Sequence, residues 1–154
     1  MEFIPATDKE HYKAAADLFR EYAAWLGIDL CFQNFEKELL ELEKMYGKPM
    51  GGIILVKEDA GKFIGCVGVR YQEPGVAELK RMYLKAQYQN RGIGQLLLEK
   101  ALKLAADCGY KKIRLDTLNS MAPAMKLYRK KGFYEIPAYY NNPESTAVYF
   151  EKEL

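Results

Sequence analysis

A short loop, Gln89-Asn90-Arg91-Gly92-Ile93-Gly94, combines residue types that can hold a phosphate group. It lies between a strand-like segment and an amphipathic helix, and the first N–H groups of a helix are unpaired and lie at its positive end. Glycine lets a pyrophosphate approach the backbone closely and adopts a positive φ without strain. The pattern predicts an anion site at the start of this helix, with an ordinary tight turn as the alternative.

Two familiar phosphate-binding motifs do not fit this loop. A P-loop would end in Gly-Lys-Ser or Gly-Lys-Thr, whereas Gln95 follows the second glycine. A dinucleotide fingerprint would need a third glycine in the Gly-x-Gly-x-x-Gly register, and the sequence has none there. The loop is therefore neither a P-loop nor a dinucleotide fingerprint.

The hydrophobic spacing around the loop predicts the elements that position it. Strands are predicted at 2–6, 53–57, 63–71, 76–84, 111–118, 133–138 and 146–152. Helices are predicted at 8–25, 35–45, 92–107 and 122–131. Asp8 should cap the first helix and Gly27 should end it. The buried stripe of the third helix is predicted to contain Ile93, Leu96, Leu97, Lys100, Ala101 and Leu104.

The connections between these elements predict the fold class. Short polar turns join the second, third and fourth strands, which favours antiparallel neighbours. A helix separates the fourth strand from the fifth, which favours a right-handed parallel crossover. With 154 residues, 49% of them hydrophobic, the chain suits one core. We expect a single α/β domain over residues 1–154, with a mixed, mostly antiparallel central sheet and helices on both faces.

Composition excludes several classes of function. The 23 Lys and Arg balance 21 Asp and Glu, so no broad basic face for nucleic acid is expected. No apolar run approaches the ~20 residues of a membrane span, and no secretory leader is recognised, which predicts a cytoplasmic protein. The one histidine, His11, and three widely spaced cysteines, Cys31, Cys66 and Cys108, predict neither a metal centre nor a disulfide framework.

Over nearly its whole length the chain resembles the GNAT superfamily of N-acetyltransferases. The motifs that carry the resemblance are the Gln89-x-x-Gly92-x-Gly94 turn, the segment Gln95–Glu99, the Gly109-Tyr110 turn, the strand end Leu115-Asp116-Thr117, and Leu127-Tyr128 before Gly132-Phe133. The resemblance implies a GNAT-like fold and an N-acetyltransferase that uses acetyl-CoA as co-substrate, without a metal. It also implies direct attack of a primary amine, with no covalent enzyme intermediate.

The resemblance assigns two groups of residues to CoA. The turn would hold the pyrophosphate through Gln89, Asn90, Arg91, Gly92, Ile93, Gly94 and Gln95. A bulge in the fourth strand, at Met82, Tyr83 and Leu84, would pair with the pantetheine arm as an added strand does, and one of its N–H groups would hold the thioester oxygen. Asn119 matches a position that hydrogen-bonds the CoA arm. The alternatives are plain buried strand and a simple turn asparagine.

The resemblance also implies an acid and a base. Tyr128, four residues before the Gly132-Phe133 pair, matches a tyrosine that faces the CoA sulfur and would protonate the departing thiolate. An aromatic on a core stripe with Met121 and Met125 is the alternative. Glu78, eleven positions before Gln89, matches the catalytic glutamate of some members. The alternative is that Glu78 forms a plain salt bridge on its strand and that a chain of water molecules acts as the base.

In the family the acceptor pocket is shaped by two loops, which here are 25–34 and 138–143. Their aromatic and amide groups suit a small amine, such as an amino acid, a polyamine or an antibiotic-like compound, and the sequence does not choose among them. The same aromatics would also suit a homodimer contact. Two further alternatives for function are a non-catalytic acyl-CoA sensor and a protein or peptide N-acetyltransferase.

Overall fold

The computed structural model describes residues 1–30 and 34–154. Its strands are β1 Glu2–Pro5, β2 Gly52–Lys57, β3 Phe63–Glu73, β4 Val76–Leu84, β5 Lys112–Leu118, β6 Tyr134–Ile136 and β7 Ala147–Glu153. Its helices are α1 Lys9–Leu26, α2 Phe35–Leu40, α3 Leu42–Tyr46, α4 Ile93–Asp107 and α5 Ala122–Lys130, and a 3-10 turn spans Ala86–Tyr88. Each strand lies at a position that the hydrophobic spacing predicted, with ends that differ by a few residues.

The described strands form one seven-stranded sheet in the order β1-β2-β3-β4-β5-β7-β6. β4 and β5 run parallel, whereas the other neighbouring pairs are antiparallel. Helices α4 and α5 contribute to the apolar cluster on one face, and α1 to α3 contribute to a second cluster on the other. The predicted fold, a mostly antiparallel sheet with helices on both faces, is confirmed.

Helix α1 begins and ends where the sequence predicts. The Asp8 carboxylate accepts a hydrogen bond from the His11 N–H at 2.9 Å, which satisfies a donor that the helix itself leaves unpaired. At the other end Gly27 adopts a φ of 71°, and its N–H bonds the carbonyls of Ala23 and Ala24. These boundaries depend on local chemistry, and local chemistry was enough to predict them.

The single helix predicted at 35–45 is wrong, because the chain breaks at Glu41 into α2 and α3. The break brings the Tyr46 hydroxyl to the buried Glu38 carboxylate, to which it donates a hydrogen bond at 3.1 Å. In a continuous helix these two residues would lie about 12 Å apart along the axis. A buried carboxylate needs such partners, and the helix pattern contains no sign of that need.

The predicted stripe of α4 is partly wrong. Leu96 is 48% exposed and Lys100 is exposed. The face that packs on the sheet instead includes Ile93, Leu97, Leu98, Ala101 and Ala105. Residues spaced by four define the centre of this face, and Leu96 lies at its edge. None of the helices in the described ranges has the length and apolarity that a membrane span requires.

Candidate active site

A gap opens in the middle of the sheet where β4 and β5 separate. The two strands pair over Val76–Glu78 and Lys112–Arg114. Beyond these residues β4 continues along β3, and β5 continues along β7 as far as Leu118. In the described chain, the side of β4 that faces the gap therefore has no strand partner after Glu78. Main-chain groups on an open edge can bind an extended ligand in the manner of an added strand.

A bulge interrupts β4 inside this gap. Cys66 pairs with Tyr83 and Gly68 pairs with Lys80, so Arg81 and Met82 together lie opposite a single residue of β3. Arg81 adopts a φ of 57°, a left-handed conformation that side chains other than glycine rarely take. The bulge predicted for the fourth strand is confirmed. It is centred one residue before the predicted segment that begins at Met82.

A buried ion pair holds the bulge in place. The guanidinium of Arg81 donates to both oxygens of Glu38, at 2.9 and 3.0 Å, and lies over the ring of Phe35. Burial by itself raises the pKa of Glu38, but the hydrogen bonds and charge of Arg81 outweigh it, and the pKa is held below its usual range. Glu38 was not predicted from the sequence, because its partner lies 43 positions away. A glutamate on the apolar side of a short amphipathic helix was the one available signal.

The glycine loop lies beside the end of β4. The side-chain amide of Gln89 donates to the carbonyl of Leu84 at 2.8 Å and so fixes the loop to the strand. Gly92 precedes α4 with a φ of 79°, and the Leu96 N–H bonds the Gly92 carbonyl at 3.3 Å. The N–H groups that come before this first helical bond lie at the positive end of α4, where an anion would bind.

Gly94 distinguishes an anion site from an ordinary turn. It lies inside the first turn of α4, where its φ is not positive. A methyl group added to it would meet only the Met82 side-chain methyl, at 3.9 Å. Neither backbone strain nor packing in the described protein therefore requires glycine at this position. The free space above it suits a ligand that approaches the backbone, as the anion-site prediction expects.

One cleft of about 470 Å³ brings most of the predicted residues together. The predicted residues that line it are Met82, Tyr83, Leu84, Gln89, Asn90, Gly92, Gly94, Gln95 and Tyr128. Four others do not line it. Arg91 is exposed and lies over Tyr88, Ile93 is buried in the core, and Asn119 is exposed. Glu78 lines a different cavity.

Tyr128 lies between the core and the cleft. It is 7% exposed, and its ring packs against Phe133 and Phe150. It also lines the cleft together with Met121 and Leu127. Burial, with smaller contributions from Tyr22 and Asp116, raises the pKa of Tyr128 above its ordinary value. Its hydroxyl is protonated at neutral pH, as that of an ordinary tyrosine is.

Glu78 lies in a network of polar side chains that lines a separate cavity from the cleft. Arg70 donates to one of its oxygens at 3.1 and 3.0 Å, and the Tyr139 hydroxyl donates to the other at 2.6 Å. Burial raises the pKa of Glu78, but Lys80, Arg70 and the Tyr139 hydrogen bond together lower it further than burial raises it. The salt bridge considered as an alternative is thus present. Its partner is Arg70 on β3, whereas the sequence suggested a neighbour on the same strand.

Asp116, part of the motif Leu115-Asp116-Thr117 at the end of β5, is a carboxylate of the site whose role the sequence does not indicate. It lines both the cleft and an adjoining cavity of about 30 Å³. Tyr140 donates a hydrogen bond to it at 2.6 Å, and the Lys80 ammonium lies 4.0 Å away. The cleft and the small cavity also share Tyr22 and Thr117. Among the described residues, Asp116 is the acidic group that lines both the cleft and the small cavity.

Both loops predicted to shape an acceptor pocket border these cavities. From the first loop, Leu26, Ile28 and Leu30 line the small cavity, and residues 31–33 lie outside the described residues. From the second, Tyr139 and Tyr140 line the cavity that contains Glu78. The site therefore has two sides, with the glycine loop and α5 on one and the polar network on the other.

Comparison with known proteins identifies relatives. Residues 13–133 match the acetyltransferase (GNAT) family. An uncharacterised N-acetyltransferase of Schizosaccharomyces pombe is 35% identical over 138 residues, which cover 89% of this chain and 85% of the yeast protein. A GNAT acetyltransferase from Staphylococcus aureus covers 99% of this chain and 98% of its own, with a TM-score of 0.81 at 19% identity. The PaiA N-acetyltransferase of Thermoplasma acidophilum, solved with coenzyme A, covers 100% of both chains with a TM-score of 0.76 at 22% identity.

Proposed function

Because the chain belongs to the acetyltransferase (GNAT) family and is an acyl-CoA-dependent acyltransferase, we propose that it transfers an acetyl group from acetyl-CoA to a primary amine of a small molecule. One observation carries the proposal. The glycine loop, the open edge of β4 and Tyr128 all line one cleft. A ligand with a diphosphate, an extended amide arm and a terminal thioester matches these three features in that order.

The residues on the donor side fit such a ligand. The N–H groups at the start of α4 would bind the diphosphate, with exposed Arg91 adding positive charge. The unpaired edge of β4 from Met82 to Leu84 would pair with the amide arm. An N–H group at the bulge would then face the thioester oxygen and stabilise the negative charge that develops there. Acetyl-CoA supplies the activated acetyl group.

Tyr128 is the proposed acid of the reaction. Its hydroxyl is protonated at neutral pH, as in any tyrosine, and it lines the cleft, from which it would deliver this proton to the departing thiolate. Its packing against Phe133 and Phe150 limits its movement, which suits a group that must stay aligned with the sulfur. None of the described cysteines lines the cleft, so direct attack by the amine is the route that we propose.

The acceptor side supports a slender amine. The cavity of about 30 Å³ beside Asp116 holds only one or two water-sized groups. A space of this size suits a primary amine and its first carbon. The ammonium must lose a proton before attack, and we propose that Glu78, predicted as the base, and Asp116, which lines the gap, bind and deprotonate it.

A thiol-release assay tests the proposal. The full chain would be incubated with acetyl-CoA and a panel of primary amines, and free CoA thiol and acetylated amine would be measured. We expect amine-dependent thiol release that matches the amount of N-acetyl product. Binding of CoA without release from any amine would instead favour the acyl-CoA sensor, and release only with peptides would favour a protein N-acetyltransferase.

The two carboxylates can be separated by substitution. Glu78→Gln and Asp116→Asn remove one charge each and retain the shape of the side chain. The base variant should lower kcat by about 10²-fold, the usual contribution of a general base, without changing the KM for acetyl-CoA. A variant that raises only the KM for the amine identifies its carboxylate as a binding group.

A further inference from the structure

A polar pocket of about 400 Å³ lies on the acceptor side, outside the cleft assigned to acetyl-CoA. Polar and charged residues that line this pocket include Arg70, Gln72, Glu78, Lys80, Tyr139 and Tyr140. We call it the β3–β4 pocket, after the strands that supply Arg70 to Lys80. Among these residues, only Glu78 has a role in the acetyl transfer proposed above.

The charges that line this pocket favour an anion. Two positive groups, Arg70 and Lys80, and one negative group, Glu78, line the pocket, and the carboxylates of Glu38 and Asp116 lie outside its lining, 3.9 Å from Arg70 and 4.0 Å from Lys80. Arg70 directs Nε and Nη2 to Glu78. Its third nitrogen, Nη1, lies 3.9 Å from the Glu38 carboxylate, too far for a hydrogen bond. The Arg70 side chain is 21% exposed, so a ligand can reach it.

Lys80 shows that the pocket lies next to the small cavity beside Asp116. Its side chain lines both the β3–β4 pocket and the small cavity beside Asp116. Lys80 is 4% exposed, and burial lowers the pKa of its ammonium more than the charges of Glu78 and Asp116 raise it. A bound anion in the pocket would restore the stability of that ammonium. The amine-binding gap and the anion-favouring pocket are therefore adjacent.

An acceptor that fits both places carries an amine and an anionic group a few bonds apart. A polyamine would bring a second ammonium towards Arg70 and Lys80, where like charges repel. The Nη1 group of Arg70, which makes no hydrogen bond to Glu38 or Glu78, can donate to a carboxylate, and the rings of Tyr139 and Tyr140 supply contact surface. A volume of about 400 Å³ leaves room for a modest side chain.

From this arrangement we propose that the acceptor is an amino acid or a similar amino carboxylate, whose carboxylate binds to Arg70 and Lys80 in the β3–β4 pocket. The inference rests on the proposed acetyl transfer, because it names the class of amine that the same site takes. It assigns Arg70 and Lys80 as determinants of acceptor specificity.

Matched acceptors test this proposal. Each amino acid would be compared with its carboxamide and with the amine that lacks the carboxyl group, and a polyamine would be included. We expect kcat/KM to be about 10- to 100-fold higher for the acid than for its amide, the range of a charged hydrogen-bonded contact. Equal or higher values for the amide or the polyamine would overturn the inference and leave the acetyltransferase proposal intact. Absence of thiol release with every amine would remove both.

Substitutions connect the preference to the pocket. Arg70→Gln should raise the KM for the acid about 10-fold, change kcat/KM for the amide much less, and leave the KM for acetyl-CoA unchanged. Arg70→Lys should recover part of the preference, and Lys80→Gln should reduce it. Lys103→Gln removes an exposed charge on α4 and serves as the control. An equal loss with acid and amide would indicate a purely structural role for Arg70 and would overturn the assignment.

Discussion

The two sides of the site present different kinds of chemical group, backbone on one side and side chains on the other. On the donor side, the groups that would bind acetyl-CoA are mainly backbone N–H and C=O groups of the glycine loop and of the open edge of β4. On the acceptor side, side chains from distant parts of the chain meet, such as Arg70, Glu78 and Tyr139. Backbone geometry suits a ligand that is always the same, whereas side chains can be exchanged to suit one acceptor or another.

This contrast predicts different sensitivities to substitution. Side-chain changes on the donor side should matter only where they alter the backbone, fill the space above it or remove the acid. Changes on the acceptor side should alter amine selection and leave acetyl-CoA binding unaffected. The Glu38–Arg81 pair is where the two sides meet, because a side-chain contact there holds a backbone feature.

The largest effect is expected from Glu38→Ala. Loss of one member of a buried ion pair costs about 3–5 kcal/mol of unfolding free energy, because the other charge remains buried without its partner. The bulge at Arg81 should relax as well, so the KM for acetyl-CoA should rise. Denaturant unfolding and steady-state kinetics would measure the two effects. A stable variant with unchanged kinetics would mean that the pair does not hold the bulge.

Tyr128→Phe tests the donor-side acid. We expect kcat to fall by about 10²-fold or more, with little change in the affinity for CoA, because the ring and its packing are retained. Tyr134→Phe is a matched control, since Tyr134 bonds only Glu151 and Glu153 among the described residues. Unchanged kcat in Tyr128→Phe would remove this residue from the mechanism.

Gly94→Leu tests the space above α4. The first carbon of the new side chain would meet only the Met82 methyl, at 3.9 Å, so the melting temperature should be retained or raised, as expected when glycine leaves a helix. The affinity for CoA measured by calorimetry should fall by about 10-fold or more, equivalent to about 1.4 kcal/mol. Ala106→Leu adds similar bulk to the exposed face of the same helix and should change neither. Unaltered CoA affinity in Gly94→Leu would exclude the anion site.

The smallest effect is a change in how stability depends on pH. The pKa of Glu38 and of Glu78 is lowered in the folded protein, so each carboxylate stabilises the fold above its unfolded pKa of about 4.5. That stability is lost as the pH falls through the lower, folded pKa. We expect the unfolding free energy to decline below about pH 4.5, and less steeply in Glu38→Gln than in the natural chain. Parallel declines would contradict this assignment.

The features that depend on near neighbours in the chain, including the glycine turn of the donor side, could be predicted from the sequence. The Asp8 cap, the Gly27 stop and the glycine turn before α4 depend on neighbours within a few residues, so local patterns contain the necessary information. The parallel crossover followed from the helix between two strands. The predicted buried stripe of α4 was wrong at Leu96 and Lys100, because the position of the helix on the sheet decides which edge of its apolar face is covered.

The acceptor side could not be predicted in the same way. Arg81 and Glu38 are 43 positions apart, and Glu78 and Tyr139 are 61 apart. Which charged residues pair depends on which strands and helices become neighbours, and a charged residue has many possible partners in a linear sequence. The break between α2 and α3 has the same origin, since the Tyr46 hydroxyl reaches Glu38 only once both are buried.

The sequence by itself determined the order of the elements, the backbone shape of the glycine turn and the family resemblance, because each depends on residue types at short and fixed spacing. The tertiary structure decided where β4 and β5 separate and which residue forms the bulge. It also decided that Lys80 lines two neighbouring cavities, one together with Arg70 and the other together with Asp116. The physical reason is that burial removes water from charged groups, and only the folded chain determines which partners replace that water.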